Sequence, residues 1–296
     1  MIIPAYNADK FIKDALESVF AQNYEPLEII VVDDGSTDST AEIVKGFQNS
    51  GRTLLYLYQE NAGPSRARNV GIRASRGEFI TFLDADDLWT PMKLQRQVDF
   101  MESHNEADLV FGDMQVFDSG GCIIDSAFSK HGHPPCDEQG KVVDAFHHLL
   151  QRNFVSTATV LLRKDTLNET GYFDEKLWYA EDYDLWLRFS LKFDLFCMPE
   201  IFRLKRMHDR NLSWNKEEFI LSSLYTYRNL KEKINSTSDE KYRDVNNQII
   251  KAMRELSYHY YMNRDYLRAA GSMLKYFIYR FKSSVNPNCR RDHAAA

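Results

Sequence analysis

The sequence predicts an α/β fold: a mostly parallel sheet flanked by helices, with a C-terminal helical extension. Three observations carry this. Leu27–Val32 is an unbroken apolar run, which suits a parallel strand covered on both faces. Up to about residue 117, strand-like and helix-like segments alternate, which favours parallel pairing through right-handed crossovers. From Lys216 onward only helical periodicity remains.

Met1–Pro4 supplies three residues before the proline, where a buried strand usually has about five. Either this strand is brief or the chain starts late. Phe11, Ile12, Ala15, Leu16, Val19 and Phe20 recur at helical spacing. After the Leu27–Val32 strand, Asp34–Ser39 turns the chain and offers N-cap side chains for a helix to about Phe47. Thr53–Tyr58 is the next strand. Pro64 opens a helix to about Ser75, since proline is tolerated in a first turn. Glu78–Leu83 is a strand that runs into an acidic cluster, Pro91–His104 a helix and Leu109–Phe117 a strand. Residues 118–140 hold Gly, His and Pro without periodicity and read as a long loop. Lys141–Gln151 reads as helix, Thr157–Arg163 as strand, Glu181–Lys192 as helix and Phe202–Arg206 as a short strand. Helices follow over 216–234, 241–260 and 264–283, with a polar break at Asn235–Glu240 and a domain boundary at 212–216.

The 296 residues are 44% apolar and 27% charged, ordinary for a soluble globular protein. No apolar run approaches the roughly 18–20 residues of a membrane span. The opening MIIPAYNADKF has no basic leader or small-residue cleavage site, so no signal peptide is expected. Net charge is −6, which argues against nucleic acid as a partner. The charge is uneven. Arg264, Arg268, Lys275, Arg280, Lys282, Arg290 and Arg291 face only Asp265 and Asp292 in residues 261–296, so that segment is +5 and the remainder −11. Cys122, Cys136, Cys197 and Cys289 form no CxxC pair, which fits a reducing cytoplasm. The sequons at Asn168, Asn211 and Asn235 then read as chance.

Ligands of such sheets bind beyond the carboxyl ends of the strands. That rule selects Asp33–Asp38, Asn61–Arg68 and Asp84–Asp87. Asp84 and Asp86 face one side at a strand end, where a hard cation such as Mg²⁺ or Mn²⁺ would relieve their repulsion. The alternative is an acidic turn that caps the following helix. Asp34 could accept hydrogen bonds from a base or ribose, or be a turn residue. Arg66 and Arg68 stand in the first turns of a helix, a place that favours phosphate, or they form a solvated face. Glu181 and Asp182 open a helix and offer a general base, or simply suit the helix dipole. His208 is either structural or a contact to metal or phosphate. Gly46-x4-Gly51-Arg52-Thr53 fails as a P-loop because Arg replaces Lys and its flanks are reversed. His131, His133 and Cys136 lack a fourth ligand, and there is no GxGxxG.

Taken together, several motifs resemble family 2 inverting glycosyltransferases. They are Ile3-Pro4-Ala5-Tyr6-Asn7, Val32–Asp38, Asn61-Ala62-Gly63, Ala67-Arg68-Asn69-x-Gly71, Gly77–Asp87 and Glu181-Asp182-x-Asp184-Leu185-Trp186-x-Arg188. The resemblance implies a GT-A catalytic domain over 1–213, with a nucleotide-binding half at 1–117 and an acceptor half at 118–213. The helical tail, 214–296, lies outside it. It implies a metal-dependent transfer of a hexose-type sugar from a nucleoside-diphosphate sugar, typically of UDP, to a glycan or lipid-linked acceptor in cell-surface polysaccharide synthesis. Pro4, Ala5 and Tyr6 would begin the nucleotide pocket, Asp34 would hold the base, Arg68 would approach the diphosphate and Asp84 would sit near ribose and sugar. Asp86, with His208, would ligate Mn²⁺ or Mg²⁺. Asp182 would be the base, with Glu181 the neighbouring candidate. Trp178 and Tyr179 flank them and could stack on an acceptor sugar or pack in the core. The alternative function is a non-catalytic nucleotide-sugar binding or scaffold protein. The tail is expected to dock on the body, to pair two copies through 241–283, or to lie on the inner face of the membrane.

Overall fold

The computed structural model of the chain describes residues 1–48, 51–209, 215–234 and 239–285. The Asn211 and Asn235 sequons, Leu212–Ser213, Cys289, Arg290, Arg291 and Asp292 lie outside them, as do most of the expected boundary and break. The chain divides into two compact units, Met1–Asn211 and Leu212–Ala296.

The first unit opens with β1 (Ile2–Ala5), α1 (Ile12–Phe20), β2 (Glu28–Asp33), α2 (Thr40–Gly46), β3 (Thr53–Tyr58) and α3 (Pro64–Ala74). It continues with β4 (Phe79–Thr81), β5 (Leu88–Trp89), α4 (Lys93–Ser103), β6 (Leu109–Asp118), β7 (Gly121–Ile124) and α5 (Ala127–His131). It closes with α6 (Ala145–Gln151), β8 (Leu161–Arg163), α7 (Thr166–Thr170), α8 (Glu181–Ser190) and β9 (Leu195–Arg206). The second unit comprises α9 (Lys216–Lys233), α10 (Glu240–Met262) and α11 (Tyr266–Val285).

β1, β2 and β3 form a parallel sheet in that order, with Ala5 opposite Asp33 and Asp33 opposite Tyr58. All three strands therefore end at one edge. A second sheet runs β4-β8-β6-β9-β5, with β7 on β6. Ile2 bridges Phe82 in parallel, and Leu83 N–H donates to Ile2 C=O at 3.1 Å, which carries one sheet into the other. The acidic cluster after β4 thus emerges beside the end of β1. α1 seals one face with Ile12, Leu16 and Val19 against Ile3, Ile29 and Val31, all fully buried. α3 packs against β1 because residue 71 is glycine. A Cβ there would stand 2.5 Å from Ile2 Cγ2.

The fold differs from the sequence expectation in identifiable places. β4 pairs antiparallel with β8, β8 antiparallel with β6, and only β6–β9 is parallel in the second sheet. Strand–helix alternation stops dictating parallel pairing once β8 inserts between β4 and β6. The expected loop at 118–140 contains β7, hairpinned on β6, and α5, capped where Ser126 Oγ accepts from Ser129 N–H at 2.9 Å. The helix expected at Lys141 begins at Ala145, because Lys141 and Val142 are drawn into bridges to Phe196 and Cys136. Thr157–Thr159 is a 3₁₀ turn ahead of β8. The expected five-residue strand at 202–206 is the end of the twelve-residue β9. β9 passes through Pro199, which has no N–H for a ladder.

Candidate functional site

β2 ends in two aspartates with different environments. Asp33 accepts from Ser36 N–H at 2.8 Å and from the Tyr56 hydroxyl at 2.6 Å. It fixes the turn. Asp34 reaches the next loop, accepting from Gln59 Nε2 at 2.6 Å, Ala62 N–H at 2.9 Å and Gly63 N–H at 2.9 Å. Its own N–H donates to Ala5 C=O at 2.8 Å, so Pro4 and Ala5 adjoin it. Tyr6 follows with an exposed ring. Gly63 has φ +91°, a region that L side chains seldom occupy, and a Cβ there would meet the Trp178 indole at 3.1 Å. Trp178 therefore lies over the loop that Asp34 organises. Ser65 Oγ donates to Leu177 C=O at 2.6 Å and strengthens the same junction. Tyr179 is half-buried beside it.

Arg68 is the hub of the site. It projects from α3, is 5% exposed, and donates through Nη1 to Glu181 Oε1 at 2.7 Å and through Nη2 to Asp84 Oδ1 at 2.8 Å. The sequence placed it as an open anion contact. The structure places it between two carboxylates, with its charge already balanced. Asp84 also accepts from Arg203 Nη2 at 3.0 Å. Burial acts to raise the Asp84 pKa, but Arg203 and Arg68 outweigh it and hold the group below its usual value.

Arg203 on β9 further donates to Asp87 Oδ2 at 2.6 Å and Ser156 Oγ at 2.6 Å. Arg206 N–H donates to Asp87 Oδ1 at 2.8 Å, and its Nε to the Asp86 carbonyl at 3.1 Å. These bonds lash the acidic turn to β9. The Asp86 side chain remains directed at His208, whose Nε2 stands 2.9 Å from its Oδ2. The imidazole stacks on Phe11 with centroids 4.5 Å apart. Asp86 and His208 thus offer one oxygen and one nitrogen donor, a set suited to Mn²⁺ or Mg²⁺ if a ligand's phosphates complete the shell. Among the described residues no three His, Cys, Asp or Glu groups gather as a metal cage.

At the start of α8, Asp182 accepts from Thr157 Oγ1 at 2.9 Å and from Tyr183 N–H at 2.6 Å. Ala180, at φ +54°, makes the sharp entry that aims Glu181 and Asp182 out of the helix start. Burial raises both carboxyl pKa values. Arg68 opposes this at Glu181, and the Thr157 hydroxyl opposes it at Asp182.

The contacts gather the candidates named from the sequence into three groups. Asp34 reaches Trp178 through Gly63, Asp84 reaches Glu181 through Arg68, and Asp86 pairs with His208. Arg66 takes no described part in these groups. Sequence reasoning missed Arg203, Lys205 and the role of Thr157. Lys205 carries no side-chain hydrogen bond among the described residues; burial and the neighbouring Arg203 lower its pKa, and Asp87, Asp84 and Asp86 only partly oppose them. The alternation of β9 puts Arg203 and Lys205 on one side, which is the signal that was available.

The profile of Glycosyl transferase family 2 matches residues 1–122. An uncharacterized glycosyltransferase of Rickettsia typhi is 31% identical over 210 residues, 71% of this chain and 64% of that protein. The chain thus spans just under two thirds of that relative's length. The putative teichuronic acid biosynthesis glycosyltransferase TuaG of Bacillus subtilis is 27% identical over 242 residues, 78% of this chain and 87% of TuaG. Among solved structures, S. aureus TarS 1–349 in complex with UDP-GlcNAc superposes with TM-score 0.64 at 22% identity, covering 86% of this chain and 70% of that one. The fold is the GT-A fold.

Proposed function

We propose that the chain, whose residues 1–122 match the profile of glycosyl transferase family 2, is an inverting glycosyltransferase. It moves a hexose-type sugar from a nucleoside-diphosphate sugar, UDP favoured, to a hydroxyl of a glycan or lipid-linked acceptor in polysaccharide synthesis. The carrying observation is Arg68, whose two ion pairs hold the Glu181–Asp182 helix start against Asp84. That brings a helix-borne base to the strand edge where the donor would lie. The donor bound to TarS and the pathway in the name of TuaG support the choice of substrate classes.

The residues divide the work. Trp178 and the Asp34 loop bound the donor pocket. The acceptor hydroxyl attacks the anomeric carbon from the face opposite the nucleotide, and Asp182 takes its proton. Burial makes Asp182 a stronger base than a free carboxylate, and its bonds from Thr157 and Tyr183 N–H fix its orientation. Glu181 is the poorer base because Arg68 occupies Oε1. Asp86 and His208 would hold a divalent cation, which supplies positive charge beside the departing diphosphate. Arg203 is spent on Asp84, Asp87 and Ser156, whereas Lys205, whose pKa burial and Arg203 lower, would regain its full charge beside a phosphate. A single displacement needs no covalent intermediate and inverts the anomeric centre.

The test is a panel of nucleoside-diphosphate sugars with Mn²⁺, reading nucleoside-diphosphate release with and without oligosaccharide acceptors, and product configuration by NMR. A UDP-sugar should be consumed with inversion, and a chelator should stop turnover. Binding without turnover on every acceptor would favour the scaffold reading. Diphosphate release from a nucleoside triphosphate would replace sugar transfer with nucleotidyl transfer.

Thr157→Val provides a finer check. The hydroxyl favours the ionised form of Asp182, so its loss raises that pKa further. The acid limb of the kcat–pH profile should move to higher pH, while the plateau at alkaline pH changes little. An acid limb that stays in place would remove Asp182 from the rate-determining ionisation.

A further inference from the structure

We propose that α11 is a docking surface for an anionic lipid membrane. The helix is oriented against the usual rule. Its buried positions are Ser272 and Tyr276, with Ala269 and Tyr279 partly covered. Leu267, Leu274 and Ile278, at helical spacing on the opposite side, are 89%, 61% and 47% exposed, and Phe277 is 58% exposed beside them. A helix that only capped its own bundle would turn these side chains inward.

The chemistry around the stripe selects the occupant. Arg268 and Lys275, seven residues apart, follow one flank of it and are exposed, and exposed Arg264 stands in the turn ahead of the helix at φ +61°. Arg268 shares its charge with Glu217 and Asp265, whereas Lys275 has no acidic partner among the described residues. Tyr258, Tyr261 and Tyr266 are exposed at the α10–α11 end, amphipathic rings suited to the headgroup layer. Apolar side chains flanked by cations on one helix face match an anionic bilayer surface, where the stripe enters the acyl boundary and the cations meet phosphates. A second copy would set one basic flank against another. The body of the chain is acidic, so this face is also the one an anionic surface would attract. No helix of the described residues is long and apolar enough to cross a membrane, so contact would be lateral.

The experiment uses the full chain with sedimented vesicles of phosphatidylcholine alone or mixed with phosphatidylglycerol, and light scattering for oligomeric state. Binding to the anionic vesicles should exceed binding to neutral ones about tenfold and weaken with added salt. Lys275→Glu, and separately Leu274→Ser with Ile278→Ser, should each reduce it about tenfold with unchanged circular dichroism. Equal binding to both vesicle types, or binding indifferent to both variants, overturns the proposal. So does a solution dimer lost in the Leu274→Ser/Ile278→Ser variant without vesicle binding, which would assign the face to a second copy. None of these readouts depends on sugar transfer.

Discussion

Asp182→Asn is expected to lower kcat for sugar transfer about a thousandfold and to leave nucleotide-sugar affinity within about twofold, since a positioned general base is worth roughly 10²–10⁴. The amide keeps the size of the carboxylate. Its carbonyl can still accept from Thr157 Oγ1 or Tyr183 N–H, so the start of α8 keeps its form. It cannot accept the acceptor's proton. The affinity half is read by calorimetry with UDP and the kinetic half by product formation. The paired variant Glu181→Gln should show the opposite balance, because Glu181 is held by Arg68 and serves the architecture. Full turnover by Asp182→Asn would move the base elsewhere.

The second large effect concerns stability. Arg68→Met is expected to destabilise the fold by about 3–5 kcal/mol at neutral pH, as expected when one partner of a buried ion pair is removed. Asp84 keeps Arg203, but Glu181 keeps no other ion pair among the described residues, and burial already raises its pKa. In the variant that pKa rises further, above its value in the unfolded chain. Its ionised form therefore opposes folding at neutral pH, and protonation relieves the opposition as pH falls through the raised pKa. The gap from wild type should narrow on acidification. Asp84 works in the other direction. In the wild type its lowered pKa contributes stability above its unfolded value, and this contribution fades as pH drops through the folded value; without Arg68 the variant has less of it to lose. Urea midpoints across pH give both signs. Arg76→Met, which breaks a pair with Glu28 in which Arg76 is 79% exposed, should cost about 1 kcal/mol or less. A similar cost for both arginines would refute the hub.

Much of this was legible because several elements are locally determined. Thr53–Tyr58 is apolar enough to declare itself, and Pro64 and Gly63 mark the start of α3. The acidic turn was visible as Asp84–Asp87. Its fastening was not. Arg203 lies 119 residues from Asp84, and no periodicity couples a β9 cation to a β4 turn. The same distance problem hid Arg68, which resembles a phosphate contact until Glu181 is folded against it. The residue 118–140 region misled for a local reason. β7 has three exposed positions of four, so it borrows its order from the ladder with β6 and shows no alternating pattern.

The wiring of Asp34 limits what a nucleobase could take from it. A carboxylate offers about four acceptor positions, and Gln59, Ala62 and Gly63 claim three. Among the described residues one position, on Oδ2, is left over. A uracil imide brings a single N–H to such a position, whereas the edge of guanine brings two adjacent donors and would leave one of them stranded. On the donor chemistry proposed above, the choice between pyrimidine and purine would then be made by acceptor arithmetic at one oxygen, with the width of the cleft secondary.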